Sequence, residues 1–183
     1  MCIRDRRNEI KGYRKSPETM KGTLGETVTY EWKFKLSDDF SPSKRFTHVH
    51  QIKSVGEKPK INKPIFTLSA KKDNDTNYFQ LNHSSNGEKA KLLHKVNLNL
   101  FKGNWVTVVE TISYNAKKGT YAIIIKNTQT SKTIFEYRNN HIQTWYPTAE
   151  FNRPKWGIYR SILDPNPLKD EVLFFDHFII TEH

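Results

Sequence analysis

Three short stretches of this chain put charged and hydrogen-bonding side chains on one face of an extended segment and leave the other face apolar. In Arg7-Asn8-Glu9-Ile10-Lys11, the alternate residues Arg7, Glu9 and Lys11 point the same way. In Val49-His50-Gln51-Ile52-Lys53, Gln51 and Lys53 share a face, while a regular strand puts His48, His50 and Ile52 on the other. In Lys155-Trp156-Gly157-Ile158-Tyr159-Arg160-Ser161, residues Lys155, Gly157, Tyr159 and Ser161 share a face on which Gly157 leaves a gap, and Trp156 and Ile158 pack inward. Side by side, these rows form a polar, positively biased groove on the concave side of a sheet. Guanidinium, ammonium and amide donors in such a groove bind anions by charge-assisted hydrogen bonds. A phenol and one or two imidazoles beside them can move protons.

Other chemistry-bearing residues carry less. His83, His94, His141, His177 and His183 are scattered without metal-site spacing, so no metal is expected. Asp73-Asn74-Asp75 resembles a piece of a calcium loop but lacks the full pattern and its glutamate, and reads as a turn. Lys71-Lys72 and Lys117-Lys118 read as solvated charge.

The elements that must position the three segments are strands. Period-two alternation recurs along the chain, and no stretch sustains an apolar 3.6-residue period. Val28, Tyr30, Trp32, Phe34 and Leu36 line one face of residues 27–36. Residues 65–70 and 78–81 follow as further strands. Residues 105–114 and 120–126 form an antiparallel pair joined by the Gly-containing loop Asn115-Ala116-Lys117-Lys118-Gly119. Residues 133–137 and 172–181 supply later strands, and one short helix fits at 139–145. Turn clusters separate them at Ser41-Pro42-Ser43, Gly56-Glu57-Lys58-Pro59, Ser84-Ser85-Asn86-Gly87, Lys102-Gly103-Asn104 and Asp164-Pro165-Asn166-Pro167. Many short strands at this spacing predict an all-β sandwich or barrel. With no repeat and no linker, residues 7–183 read as one domain, and residues 1–6 as a truncated or foreign start.

With 183 residues, the chain is large enough for a two-layer core without staples. Its net charge of +11 attracts polyanions. No apolar run approaches the roughly 20 residues of a membrane span. The single cysteine, Cys2, excludes an intramolecular disulfide. A nucleic-acid binder would suit the charge, but the basic residues are dispersed and no motif of that class is present. A glycoside hydrolase on a similar sandwich needs two carboxylates close together, and no E-x-D-x-x-E strand occurs.

The three segments together resemble jelly-roll polysaccharide lyases of the alginate, glucuronan and heparin lyase kind, whose motifs take the form R-S/T-E-x-R, Q-I-H and Y-F-K-A-G-x-Y-x-Q. Here the corresponding stretches are Arg7-Asn8-Glu9-Ile10-Lys11, Gln51-Ile52-Lys53 and Arg153-Pro154-Lys155-Trp156-Gly157-Ile158-Tyr159-Arg160-Ser161, in the same order along the chain. Gly103-Asn104-Trp105-Val106 and the closing Asp176-His177-Phe178-Ile179-Ile180 are similar to such domains too. Lys11 stands for the second arginine, Lys53 for the histidine that is the base in part of the family, and Ser161 for the final glutamine. The resemblance implies a β-jelly roll, a concanavalin-like sandwich of two antiparallel sheets. It also implies cleavage of a uronate-containing polysaccharide by β-elimination.

That reaction removes the C5 proton of a uronate and expels the 4-linked oxygen, and it requires the neighbouring carboxylate to be neutralised. The implied catalytic set is Tyr159, His48, His50, Gln51 and Arg7. Arg7 and Gln51 meet the carboxylate, Tyr159 serves as base, acid or both, and His48 or His50 is the partner base. Positive charge on Lys155, Arg160 or Lys53 favours a tyrosinate nearby. Glu9, Lys11, Lys53, Lys155, Arg160 and Ser161 form the implied substrate-binding set, with Glu9 holding Arg7. No cofactor is called for, although a structural calcium ion is compatible. The expected partner is an anionic polysaccharide rather than nucleic acid or membrane, the chain is expected to be monomeric, and the polymer places it in a secreted or periplasmic setting. The alternative is a non-catalytic carbohydrate-binding module on the same fold.

Overall fold

Alternation of Val28, Tyr30, Trp32, Phe34 and Leu36 with polar neighbours makes a strand that can bury one whole face, and all five of those side chains are buried. The structure, a computed structural model, describes residues 5–56, 61–73, 76–163 and 168–183. The turns read at 57–59 and 164–167, residues 1–4, and Asn74 with Asp75 lie outside the described residues.

The described strands are β1 (Asp5–Lys11), β2 (Thr27–Leu36), β3 (Thr47–Val55), β4 (Phe66–Asp73), β5 (Thr76–His83), β6 (Lys91–Asn97), β7 (Val106–Ser113), β8 (Gly119–Asn127), β9 (Thr133–Ile142), β10 (Phe151–Ser161) and β11 (Leu173–Glu182). Two antiparallel sheets result, one of six strands in the order β1-β10-β3-β4-β5-β6 and one of five in the order β11-β2-β7-β8-β9. The chain is therefore an all-β sandwich, one of the two forms its alternation implied, with the two antiparallel sheets of the jelly roll that the resemblance implied. The hairpin expected at 115–119 joins β7 to β8, where Asn115 Oδ1 accepts from the N–H groups of Lys117 and Lys118.

Helical structure is confined to the short 3-10 turns Glu18–Met20 and Leu98–Leu100 among the described residues, and none forms at 139–145. Instead β9 runs on to Ile142: Phe135 is buried and Tyr137 and Asn139 are half-buried while Glu136, Arg138 and Asn140 stay in solvent, and a register shift between Asn139 and Ile142 turns Ile142 inward. β6 is an edge strand carrying Lys91 and Lys95, charges that discourage pairing with another chain.

The core lies between the sheets. Phe34, Phe79 and Phe101 stack with ring centroids 4.2–6.0 Å apart, and Phe66 lies 4.0 Å from Tyr121 across the layer. Each such side chain contributes about 1.5–3 kcal/mol by leaving water. That rigid layer fixes the opposite, outward face of the six-stranded sheet, where the polar rows stand.

Candidate active site

Register across the six-stranded sheet assembles two adjacent polar rows from strands far apart in sequence. One row runs Arg7, Tyr159, His48, Ser69, Gln80 and Lys95 across β1, β10, β3, β4, β5 and β6. The next runs Lys11, Lys155, Gln51, Thr67 and Asn82. Glu9 lies between them on β1, opposite Gly157. Ser69, Thr67, Gln80 and Asn82 were missed in the sequence. Their signal was their alternation with the buried Leu68, Ala70, Phe79 and Leu81, which exposes the polar face of two strands already recognised.

Gly157 makes the close approach of β1 possible. Its φ is +135°, and a Cβ there would sit 2.1 Å from Asn8 O and 2.7 Å from Glu9 Cα. With that space left open, the Arg7 guanidinium carbon lies 4.3 Å from the centroid of the Tyr159 ring. Lys155 Nζ is 5.7 Å from the same ring.

Beneath Tyr159, Glu9 accepts two hydrogen bonds: Lys155 Nζ donates to Oε2 at 2.6 Å, and the Gln51 amide donates to Oε1. The Glu9 and Lys155 side chains are only 4% and 7% exposed, so each charge depends on the other for compensation. Burial holds the Lys155 ammonium below its usual range, the hydrogen bond to Glu9 opposes that shift, and Arg7 and Arg153 add to it. Glu9 thus fixes Gln51 and Lys155, a larger role than steadying Arg7.

His48 lies against Tyr159 with ring centroids 5.6 Å apart, stacks on Phe46 at 4.8 Å, and has Nδ1 2.7 Å from Ser69 Oγ. Burial, helped by the Lys155 charge, pushes its imidazole down to about 3, so it is neutral near neutral pH.

His50 is elsewhere. It faces the core at 2% exposure, bonded to Glu110 and in phase with the buried Ile52, whereas β3 is irregular between His48 and His50. A bulge there sends Val49 and His50 both inward and leaves His48 on the same side as Gln51. Arg160 alternates with Tyr159 and turns away, donating from Nη2 to Lys169 O at 2.7 Å. Ser161 is buried, its Oγ accepting from Leu163 N–H. Neither stands in the polar rows. Lys53 donates to Ile61 O at 2.8 Å, and Lys11 stays exposed at the end of its row.

A groove of about 490 Å³ opens beside His48 over Thr67, Ser69, Gln80 and Asn82, rimmed by Arg45, Lys63, Lys71 and Lys89. A larger cavity, about 580 Å³, lies on the far side of β1 by Arg6, Trp156 and Arg160. The first is the better candidate: His48 lines it, Tyr159 packs against the Phe46 and His48 rings of its wall, and Gln51 is paired with Thr67 of its floor, whereas the larger cavity is lined by Arg7 but by none of Tyr159, His48, Lys155 and Gln51. Among the described residues, no three His, Cys, Asp or Glu side chains are placed to hold a metal ion.

A basic groove beside a tyrosine, a histidine and an amide, on the outer face of a jelly roll, is suited to binding a polyanion and moving protons on it. The polysaccharide lyase family profile matches residues 2–178, and the chain belongs to that family. No curated protein matched. Among solved structures, the chain is similar to an alginate lyase from Pseudomonas aeruginosa at 14% identity and a TM-score of 0.57, covering 87% of this chain and 66% of that one. Family 7 alginate lyase A1-II′ in complex with product gives 10% identity and a TM-score of 0.65, covering 98% and 73%. An alginate lyase from Klebsiella pneumoniae gives 12% and 0.56, covering 86% and 60%. The chain spans about two thirds of the length of these neighbours.

Proposed function

We propose that this polysaccharide lyase cleaves a uronate-containing polymer by β-elimination on the outer face of its six-stranded sheet, with Tyr159 as the proton-transfer residue. The observation that carries the proposal is the direct cross-strand sequence Arg7, Tyr159, His48 beside Lys155 and Gln51. It puts a phenol, two cations and an amide within one sugar's reach. Arg7 and the second N–H of Gln51 take the uronate carboxylate and offset the charge that grows on it as C5 loses its proton.

Tyr159 acts as the tyrosinate, its charge met by the nearby Arg7 and Lys155; it takes the C5 proton, is neutral in the interval, and returns a proton to the departing 4-linked oxygen, which regenerates the tyrosinate. His48, neutral and packed against the tyrosine, is a weak proton acceptor and serves better as a hydrogen-bonding wall. The rim of Arg45, Lys63, Lys71 and Lys89 suits neighbouring uronates of the same chain. Such a polymer lies outside the cytoplasm, and we place the protein there. Among the described residues no helix is long and apolar enough to cross a membrane.

The test is a panel of alginate, glucuronan, heparin, heparan sulfate and pectate, followed by the ultraviolet absorbance of the unsaturated uronate. A rise with one polymer identifies the substrate. Binding to a polymer without any rise would replace catalysis with a carbohydrate-binding role.

A further inference from the structure

The bulge in β3 decides which residues reach the site. In a regular strand His48 and Gln51, three residues apart, point to opposite faces. Here His48 pairs with Ser69 and His50 with Leu68, so the residue between them is extra, and His48 and Gln51 come to the same side. The extra residue costs β3 a regular ladder, and something must hold it in place. Val49 and His50 are both 2% exposed in the layer between the sheets. Val49 needs no polar partner there, but an imidazole does.

The partner comes from the opposite sheet. Glu110 on β7 is 0% exposed, and its Oε2 accepts from His50 Nε2 at 2.8 Å. Its Oε1 accepts from the Tyr121 hydroxyl at 2.6 Å. Burial and the Glu110 charge push the Tyr121 phenol up, so it remains a donor. Trp32 and Trp156 flank the His50 ring, with centroids 4.4 and 5.5 Å away. A one-residue slip of β3 would pull His50 out of this seat, strand the Glu110 carboxylate and carry His48 to the wrong face.

We propose that Glu110 is a positioning residue for the reaction: by holding His50 it fixes the bulge that brings His48 and Gln51 to one face beside Tyr159. The assignment rests on the lyase reading of that face. It touches no substrate atom, so its loss acts on turnover more than on binding.

The decisive variant is the triple substitution Glu110→Leu, His50→Leu and Tyr121→Phe. It removes the whole polar group at similar volume and leaves no buried charge alone, a replacement that cores often accept without loss of stability. The full chain is assayed for kcat and KM, and the His48 ring resonances are followed by NMR. The triple variant is expected to fold, lose on the order of a hundredfold in kcat with KM little changed, and show displaced His48 resonances. Glu110→Gln, whose amide can donate to His50 Nε2 while its oxygen still accepts from Tyr121, should keep kcat within about tenfold of the starting protein.

A folded triple variant with unchanged kcat and unmoved His48 resonances would overturn the proposal. So would a triple variant that cannot fold, since the group would then hold the sheets together rather than place the site. If the unaltered protein cleaves none of the polymers, the lyase reading fails instead, and the His48 resonances still decide the positioning role.

Discussion

His48 offers a direct check on the electrostatics of the site, because its neutrality should be visible in stability. The folded value near 3 lies below the ordinary 6.5, so between those pH values the unfolded chain takes up a proton that the folded chain refuses. Stability therefore holds above pH 6.5 and is lost as pH falls toward 3. At pH 4 the full difference amounts to about 3 kcal/mol relative to pH 7. His48 is only half-buried, and solvent at its edge reduces that to about 1–3 kcal/mol. His48→Gln keeps a hydrogen-bonding group for Ser69 and removes the titration. Urea unfolding of both proteins at pH 7 and pH 4 isolates the effect, since every other titrating group is shared. Relative to His48→Gln, the unaltered protein should lose about 1–3 kcal/mol on going to pH 4. An equal pH dependence in the two proteins would refute the claim that His48 is held neutral against Tyr159.

Gly157→Ala places a methyl group against Asn8 O and Glu9 Cα at a φ of +135°, and β1 must shift to accept it. The strain should cost about 1–3 kcal/mol in thermal or urea unfolding, and activity should fall further than stability because Arg7 and Glu9 move with the strand. Glu9→Ala leaves the Lys155 ammonium buried without its carboxylate and should cost about 3 kcal/mol. That is a fall in Tm of roughly 6–12 °C for a chain of this size, measured by calorimetry. Adding Lys155→Met to Glu9→Ala should recover part of that loss, and no recovery would show that the pair is not what the first change broke.

Much of the sandwich was legible because burial and period coincide. The strand with Trp32 buries the five residues its alternation names, and the loop at 115–119 supplies its own turn chemistry. The last motif kept its phase, so Lys155 and Tyr159 share the outer face as the sequence implied. The bulge at Val49 and His50 was not legible, since one extra residue leaves no mark in a row of hydrophobic and amphipathic side chains; it brought His48 onto the face of Gln51, while His50 stayed in the core with Ile52. Glu110 did leave a mark. It follows Val108 and precedes Ile112 on an otherwise apolar face, and a carboxylate in that phase signals a buried polar partner across the core. Ser161 is in phase with Tyr159 but is consumed by the turn that follows, a tertiary fact that period alone does not carry. β6 was missed because an edge strand needs only a partly buried face, and its lysines obscure the alternation.

The central claim is that Tyr159 moves the protons in an elimination on the outer face of the six-stranded sheet. Tyr159→Phe tests it most directly, since the ring and its contacts with Arg7 and His48 remain and only the hydroxyl is lost. On whichever polyuronate the unaltered protein cleaves, the variant should bind with similar affinity and produce no unsaturated product, a loss of at least about a hundredfold in kcat. A variant that still forms unsaturated product within a few-fold of the original rate would contradict the claim and move the proton transfer to another residue of the groove.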